Sequence, residues 1–161
     1  DTPGHARHHF CVLDHLTRSI FTGDSFGLSY REFDHNDQVF ILPTTSPVQF
    51  DPDEMKTTIK RIANFQPEAV YLTHFSRLDY RESLAEDLLS MVDAHVEIGQ
   101  RAAKLEKTVQ LEQIRRDLWE LIWKEAQKRN CPLDEHQAHQ LLALDWELNA
   151  QGLVSWLERT A

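Results

Sequence analysis

A mixed α/β layer that passes into an all-helical C-terminal portion is the fold class predicted by this 161-residue sequence. Three observations carry it. Short β-type runs all fall before His74, one strongly capped helix separates them, and beyond Asp79 apolar residues recur every four positions.

Residues 9–13 (HFCVL) and 19–21 (SIF) read as strands, and Asp14-His15-Leu16-Thr17-Arg18 between them suits an antiparallel hairpin. Residues 23–50 keep neither period. Gly27, Pro43 and Pro47 punctuate that stretch, which holds Phe26, Tyr30, Phe33, Phe40 and Phe50, so a loop that is functional or packed over something is expected. Asp51-Pro52-Asp53-Glu54 is a helix start, with Asp51 as N-cap, Pro52 at the first helical position and Glu54 completing a capping box. Met55, Ile59 and Ile62 form its apolar stripe, which ends before Pro67, and residues 69–73 form a short strand that delivers His74.

Leu84, Leu88, Val92 and Val96 form one four-residue series and Ile114, Leu118 and Ile122 another, predicting two long amphipathic helices. A third starts near Asp134, where Asp134 and Gln137 suit a capping box, and a last one covers Leu153, Val154, Trp156 and Leu157. Trp119, Trp123, Trp146 and Trp156 invite a lid or groove reading, but Trp119 and Trp123 stand one turn apart, as core residues often do, so packing is favoured. His136 and His139 read as surface residues.

Charge narrows the partners. Against 26 acidic residues stand 17 basic ones, a net −9, which repels phosphate backbones and anionic lipid. Nucleic acid and membrane are therefore not expected. Cys11 and Cys131 lack metal-type spacing and read as reduced thiols in a cytoplasmic protein. With no initiating Met and no signal-like segment, a chain that begins mid-fold is expected.

Three phrases place potential metal ligands in turns or at the ends of apolar runs: Thr2-Pro3-Gly4-His5, Thr22-Gly23-Asp24-Ser25 and Tyr71-Leu72-Thr73-His74-Phe75. Imidazole and carboxylate suit zinc, iron and manganese, and a carboxylate can bridge two ions. In this order the phrases resemble the C-terminal half of a metallo-β-lactamase-fold hydrolase of the glyoxalase II type. The resemblance covers roughly residues 1–100 and implies half of an αββα sandwich over residues 1–101, with a helical extension over 102–161.

The resemblance also implies roles. His5 completes the first metal site, Asp24 bridges both ions, His74 serves the second, and His9 lies behind the ligands or on the pocket wall. His8 is then expected on the opposite face of the strand. The family's upstream His-x-His-x-Asp-His motif has no counterpart, so its ligands are expected from a missing N-terminal half. Asp14-His15 matches only the last dipeptide of that motif and reads as a hairpin turn.

Two divalent ions, zinc first, then iron or manganese, would generate a hydroxide positioned by Asp24 for attack on a small thioester, ester or lactone. Tyr30 as a hydrogen-bond donor and Arg31 as a carboxylate fork are the candidate substrate contacts. The alternatives are a mononuclear iron enzyme of the persulfide-dioxygenase type and a non-catalytic regulatory or partner-binding protein. This chain alone is expected to be inactive, to expose apolar sheet surface where the other half would pack, and to be open to homodimer formation.

Overall fold

A computed structural model describes residues 1–45, 48–74 and 76–160, so Pro47 and Phe75 lie outside the described residues. The strands are β1 (Val12–Asp14), β2 (Ser19–Gly23), β3 (Ala69–Leu72) and β4 (Ser76–Asp79). They form one sheet in chain order: an antiparallel β1–β2 hairpin, parallel β2–β3 and antiparallel β3–β4. The hairpin turn is built around Asp14, whose carboxylate accepts from the Leu16 N–H at 3.0 Å and the Thr17 hydroxyl at 2.6 Å. These bonds hold its pKa below the usual carboxylate value.

The first strand starts at Val12, not at residue 9. His9 closes a turn instead, its N–H donating to the Ala6 carbonyl at 3.2 Å and its carbonyl accepting from Thr2 N–H at 2.9 Å. His8 is consequently exposed in that turn, not across a strand. Sequence reading missed β4, because its SRLD run has a single apolar residue, Leu78, which pairs with Val70 and is buried.

Strand pairing puts Leu13, Ile20, Val70 and Leu78 in one transverse row and Val12, Phe21, Tyr71 and Arg77 in the adjacent one. Side chains alternate between faces, so the first row packs into the core while Val12 and Phe21 stay exposed. Phe21 stacks on Tyr71 with ring centroids 4.7 Å apart.

Helix α1 (Pro52–Asn64) lies between β2 and β3 in the chain and buries the expected Met55, Ile59 and Ile62. Asp51 caps it, accepting from the N–H groups of Asp53 and Glu54, both at 3.1 Å. Glu54 does not complete a box, because the Asp51 N–H is already donated to the Gly4 carbonyl at 2.8 Å.

The remaining helices are α2 (Glu82–Ala102), α3 (Lys107–Lys128) and α4 (Glu135–Thr160). A period of 3.6 residues drifts away from an exact four, so the buried stripe of α2 shifts to His95, Ile98 and Ala102 and leaves Val96 half-buried. Asp134 and Gln137 form the expected reciprocal box at 2.8 and 3.1 Å. The two helices read after it are one. Asp145, Glu147 and Asn149 interrupt the apolar period, but each finds a partner, in Tyr30, in Arg115 and in the segment 43–45 respectively.

One apolar core joins Ile20, Val70, Met55, Leu88, Ile114 and Leu153, and so runs across position 101. A second seats Leu28, Phe33, Phe40 and Leu42 of the loop against Ile122, Ala126 and Leu142. The loop aromatics are therefore structural, with Phe26, Phe33, Phe40 and Phe50 all buried. Burial of each ring from water is worth roughly 1.5–3 kcal/mol. The four indoles are half-buried, Trp119 against Trp146 and Trp156 against Phe50. His139 is not a surface residue: its ring lies 4.6 Å from Trp119 and 4.9 Å from Trp146, whereas His136 is exposed. Both cysteines are free, and among the described residues no helix is long and apolar enough to cross a membrane.

Candidate metal centre

Parallel pairing of β2 and β3 brings two of the three phrases to one edge of the sheet. Asp24 follows the last residue of β2, and His74 lies two residues beyond β3. The third arrives through α1. Besides the Gly4–Asp51 bond, the Thr58 hydroxyl donates to the Pro3 carbonyl at 2.7 Å, pinning the turn before His5. Gly4 has φ +131°, and a Cβ there would lie 2.4 Å from the Met55 backbone, so no other residue suits this close approach.

Asp24 lies between imidazoles. Its Oδ2 is 3.6 Å from His5 Nε2 and 3.8 Å from His9 Nε2, and its Oδ1 is 3.3 Å from His74 Nε2. One ligand atom from each of His5, His9 and Asp24 falls within 4.8 Å of the others. His74 is the most open of the four, with 47% of its side chain exposed.

The hydrogen bonds assign the rings. A carbonyl only accepts, so the contact of His5 Nδ1 with the Thr44 carbonyl at 3.2 Å places the proton on Nδ1 and leaves the Nε2 lone pair toward Asp24. In His9 the Asp24 N–H donates to Nε2 at 3.1 Å, so Nδ1 carries the proton and faces Ser25 Oγ at 3.1 Å. The Ser25 hydroxyl in turn donates to the Thr2 carbonyl at 3.0 Å. Burial, and then repulsion from His5, lower the His9 pKa against the pull of Asp24, in keeping with a neutral ring.

These residues fit a divalent cation. Asp24 Oδ1 is buried and, among the described residues, has no hydrogen-bond partner, an arrangement that costs free energy unless something else compensates the charge. His74 Nε2 approaches it at 3.3 Å as an ion pair and not as a hydrogen bond. Two ligands of a tetrahedral ion, each at about 2.0–2.1 Å, stand about 3.3 Å apart, close to the spacings on either side of the carboxylate.

Tyr30 and Arg31 are not members of this cluster. The Tyr30 hydroxyl donates to Asp145 Oδ2 at 2.6 Å, and burial followed by that bond pushes its pKa well up. Arg31 donates to the Ser29 hydroxyl and pairs with Asp34 at 3.0 Å. Thr44, Ser25 and Thr2, which do touch the cluster, were not assigned from sequence. Thr44 and Thr2 act largely through backbone carbonyls, which leave no trace in residue type, whereas Ser25 could have been noticed as the fourth residue of the Thr-Gly-Asp-Ser phrase.

The chain is similar to an archaeal protein of the metallo-β-lactamase superfamily. That relative is the metallo-beta-lactamase fold-containing protein ST1585 of Sulfurisphaera tokodaii, 37% identical over 73 residues, which make up 45% of this chain and 24% of that protein. The chain thus matches about a quarter of the length of this curated relative. Among solved structures, the first crystal structure of an archaeal metallo-beta-lactamase superfamily protein, ST1585 from Sulfolobus tokodaii, aligns at 24% identity with a TM-score of 0.43. That alignment covers 79% of this chain and 44% of the other. No family model matches the chain.

Proposed function

We propose that this chain carries part of the metal site of a metal-dependent hydrolase of the metallo-β-lactamase type, acting on a small thioester, ester or lactone. The observation that supports it most is the Asp24 carboxylate among three imidazoles, its Oδ1 buried and without a hydrogen-bond partner among the described residues. His5, Asp24 and His74 would hold the metal, with Asp24 shared between two ions; divalent ions bound there would supply a nucleophile at neutral pH and charge to stabilise a developing oxyanion.

The chain's own groups have separate tasks. The Thr44 carbonyl holds the proton of His5 on Nδ1, and Ser25 faces that of His9. His9 takes the Asp24 N–H and so orients the bridging residue from behind. The remaining ligands come from polypeptide outside this sequence, which covers the row of exposed Val12 and Phe21 and half-buried Tyr71.

A second reading is a single iron on His5, Asp24 and one histidine from outside this sequence, two imidazoles and a carboxylate of the kind suited to non-haem iron, favoured by the Nε2 of His5 facing Asp24 at 3.6 Å. Elemental mass spectrometry of the natively purified, desalted protein separates the readings. With the covering polypeptide present, about two zinc, manganese or iron ions per protein is the expected result and one iron would favour the second reading; this chain alone is expected not to hold two ions tightly, and intact protein that takes up no metal on incubation would sink both readings.

A further inference from the structure

We propose that Asn149, on the C-terminal helix and outside the metal cluster, is a positioning residue that sets the orientation of His5. The inference rests on the metal-site reading for its consequence but not for its geometry. Asn149 is buried in the middle of α4, where a polar amide costs stability unless both its ends are bonded. Both are bonded, and to one short segment. Its Nδ2 donates to the Pro43 carbonyl at 3.0 Å, and its Oδ1 accepts from the Thr45 N–H at 2.8 Å. The Thr45 hydroxyl adds a third bond, to the Asn149 carbonyl at 3.0 Å.

The residue between those two anchors is Thr44, and it faces the cluster with both its polar oxygens. Its carbonyl takes the His5 Nδ1 proton at 3.2 Å, and its hydroxyl donates to the Asp24 carbonyl at 2.7 Å. The amide of Asn149 therefore fixes the peptide on each side of the residue that selects the His5 tautomer and steadies Asp24. A histidine whose other nitrogen is held by a fixed acceptor presents a directed lone pair, and loss of such partners typically weakens metal binding 10–100-fold. Asn is suited to this clamp because it offers a donor and an acceptor on one planar group. Leu removes both, and Asp replaces the donor by an acceptor facing a carbonyl.

The test compares Asn149→Ala with Leu142→Ala, a truncation elsewhere in the buried face of α4, in the full chain. The first readout needs no metal: long-range ¹H–¹⁵N NMR of the His5 ring reports which nitrogen carries the proton. The second is cobalt(II) titration, followed by its d–d absorption. Asn149→Ala is expected to turn the single His5 tautomer into a mixture and weaken cobalt binding at least 10-fold, while Leu142→Ala lowers Tm and leaves both unchanged. Thr45→Val, which loses only the hydroxyl bond to α4, is expected to give a smaller shift in the same direction and serves if Asn149→Ala does not fold. An unchanged His5 tautomer in a folded Asn149→Ala, or in Thr45→Val if the alanine variant does not fold, overturns the proposal. Wild-type protein that binds no cobalt would overturn the metal reading instead, with the NMR result still deciding the clamp.

Discussion

The backbone N–H of Asp24 donates to Nε2 of His9 at 3.1 Å, and this bond forms only because Gly23, the last residue of β2, has no side chain. A Cβ at Gly23 would lie 2.1 Å from His9 Cε1, and φ there is +53°. Gly23→Ala should therefore displace the His9 ring and release Asp24. A loss of about 1–3 kcal/mol in stability is expected together with at least 10-fold weaker zinc binding, measured by urea unfolding and calorimetric titration. Wild-type zinc affinity in this variant would show that the His9 contact is dispensable.

Asp24→Asn should separate stability from metal binding. The substitution removes a carboxylate whose Oδ1 is buried and, among the described residues, has no hydrogen-bond partner. In the presence of chelator, Tm is expected to hold or rise, because an uncompensated charge has been removed. Zinc affinity is expected to fall by two orders of magnitude or more. A clear drop in chelated Tm would mean that Asp24 already has structural partners that outweigh its burial.

His95 should make the fold acid-sensitive. Its Nδ1 donates to the Met91 carbonyl at 2.7 Å, its Nε2 is buried with no hydrogen-bond partner among the described residues, and burial pushes its pKa down to about 4. The unfolded imidazole takes a proton near 6.5 and the folded one only near 4. Between these values the unfolded state binds more protons, so the contribution is intact above pH 6.5 and is lost as pH falls toward 4, at most about 3 kcal/mol. His9, also lowered by burial, adds to the slope in the same direction. His95→Leu should flatten the wild-type decline between pH 6.5 and 4.5 in denaturant titrations; a parallel curve would show that His95 is already charged or hydrated in the fold.

The exposed row on the sheet predicts self-association of this chain by itself. Phe10, Val12 and Phe21 are each about half exposed or more, with Tyr71 stacked beside Phe21. Sedimentation should reveal concentration-dependent association that Phe21→Asp weakens. A wild-type chain that stays monomeric at high concentration would count against a covering partner on this face.

Arg115 and Glu147 clasp α3 to α4 through two parallel bonds of 2.7 and 2.5 Å. Both are only about a quarter exposed, so Glu147→Gln should cost about 1 kcal/mol. A double-mutant cycle with Arg115→Met measures the coupling; additive single effects would show that the pair contributes nothing of its own.

Local signals were legible in proportion to how local their causes are. The Asp51 cap, the Asp134–Gln137 box, the Asp14 turn and the stripes on α1 and α3 depend on neighbours within a few residues, and each stands where periodicity or turn chemistry put it. The continuity of α4 was not legible, since Asp145, Glu147 and Asn149 look like a break until their distant partners are known. Nor was the sandwich of His139 between two indoles from different helices. Of the cluster, the residue types could be read from three phrases, whereas the carbonyl of Thr44 and the turn at His9 arise from backbone path alone.

Order in time follows from the same geography. The bonds joining Thr45 to Asn149 close a separation of 104 residues, and those from Arg159 to the carbonyls of Val48 and Phe50 close 111 and 109. Contacts so distant in sequence form late, after local helices and the hairpin. During synthesis the segment around Thr44 therefore waits, without its anchor, until the last helix has emerged and docked. The earliest part of this chain to be made is among the last to acquire its working shape.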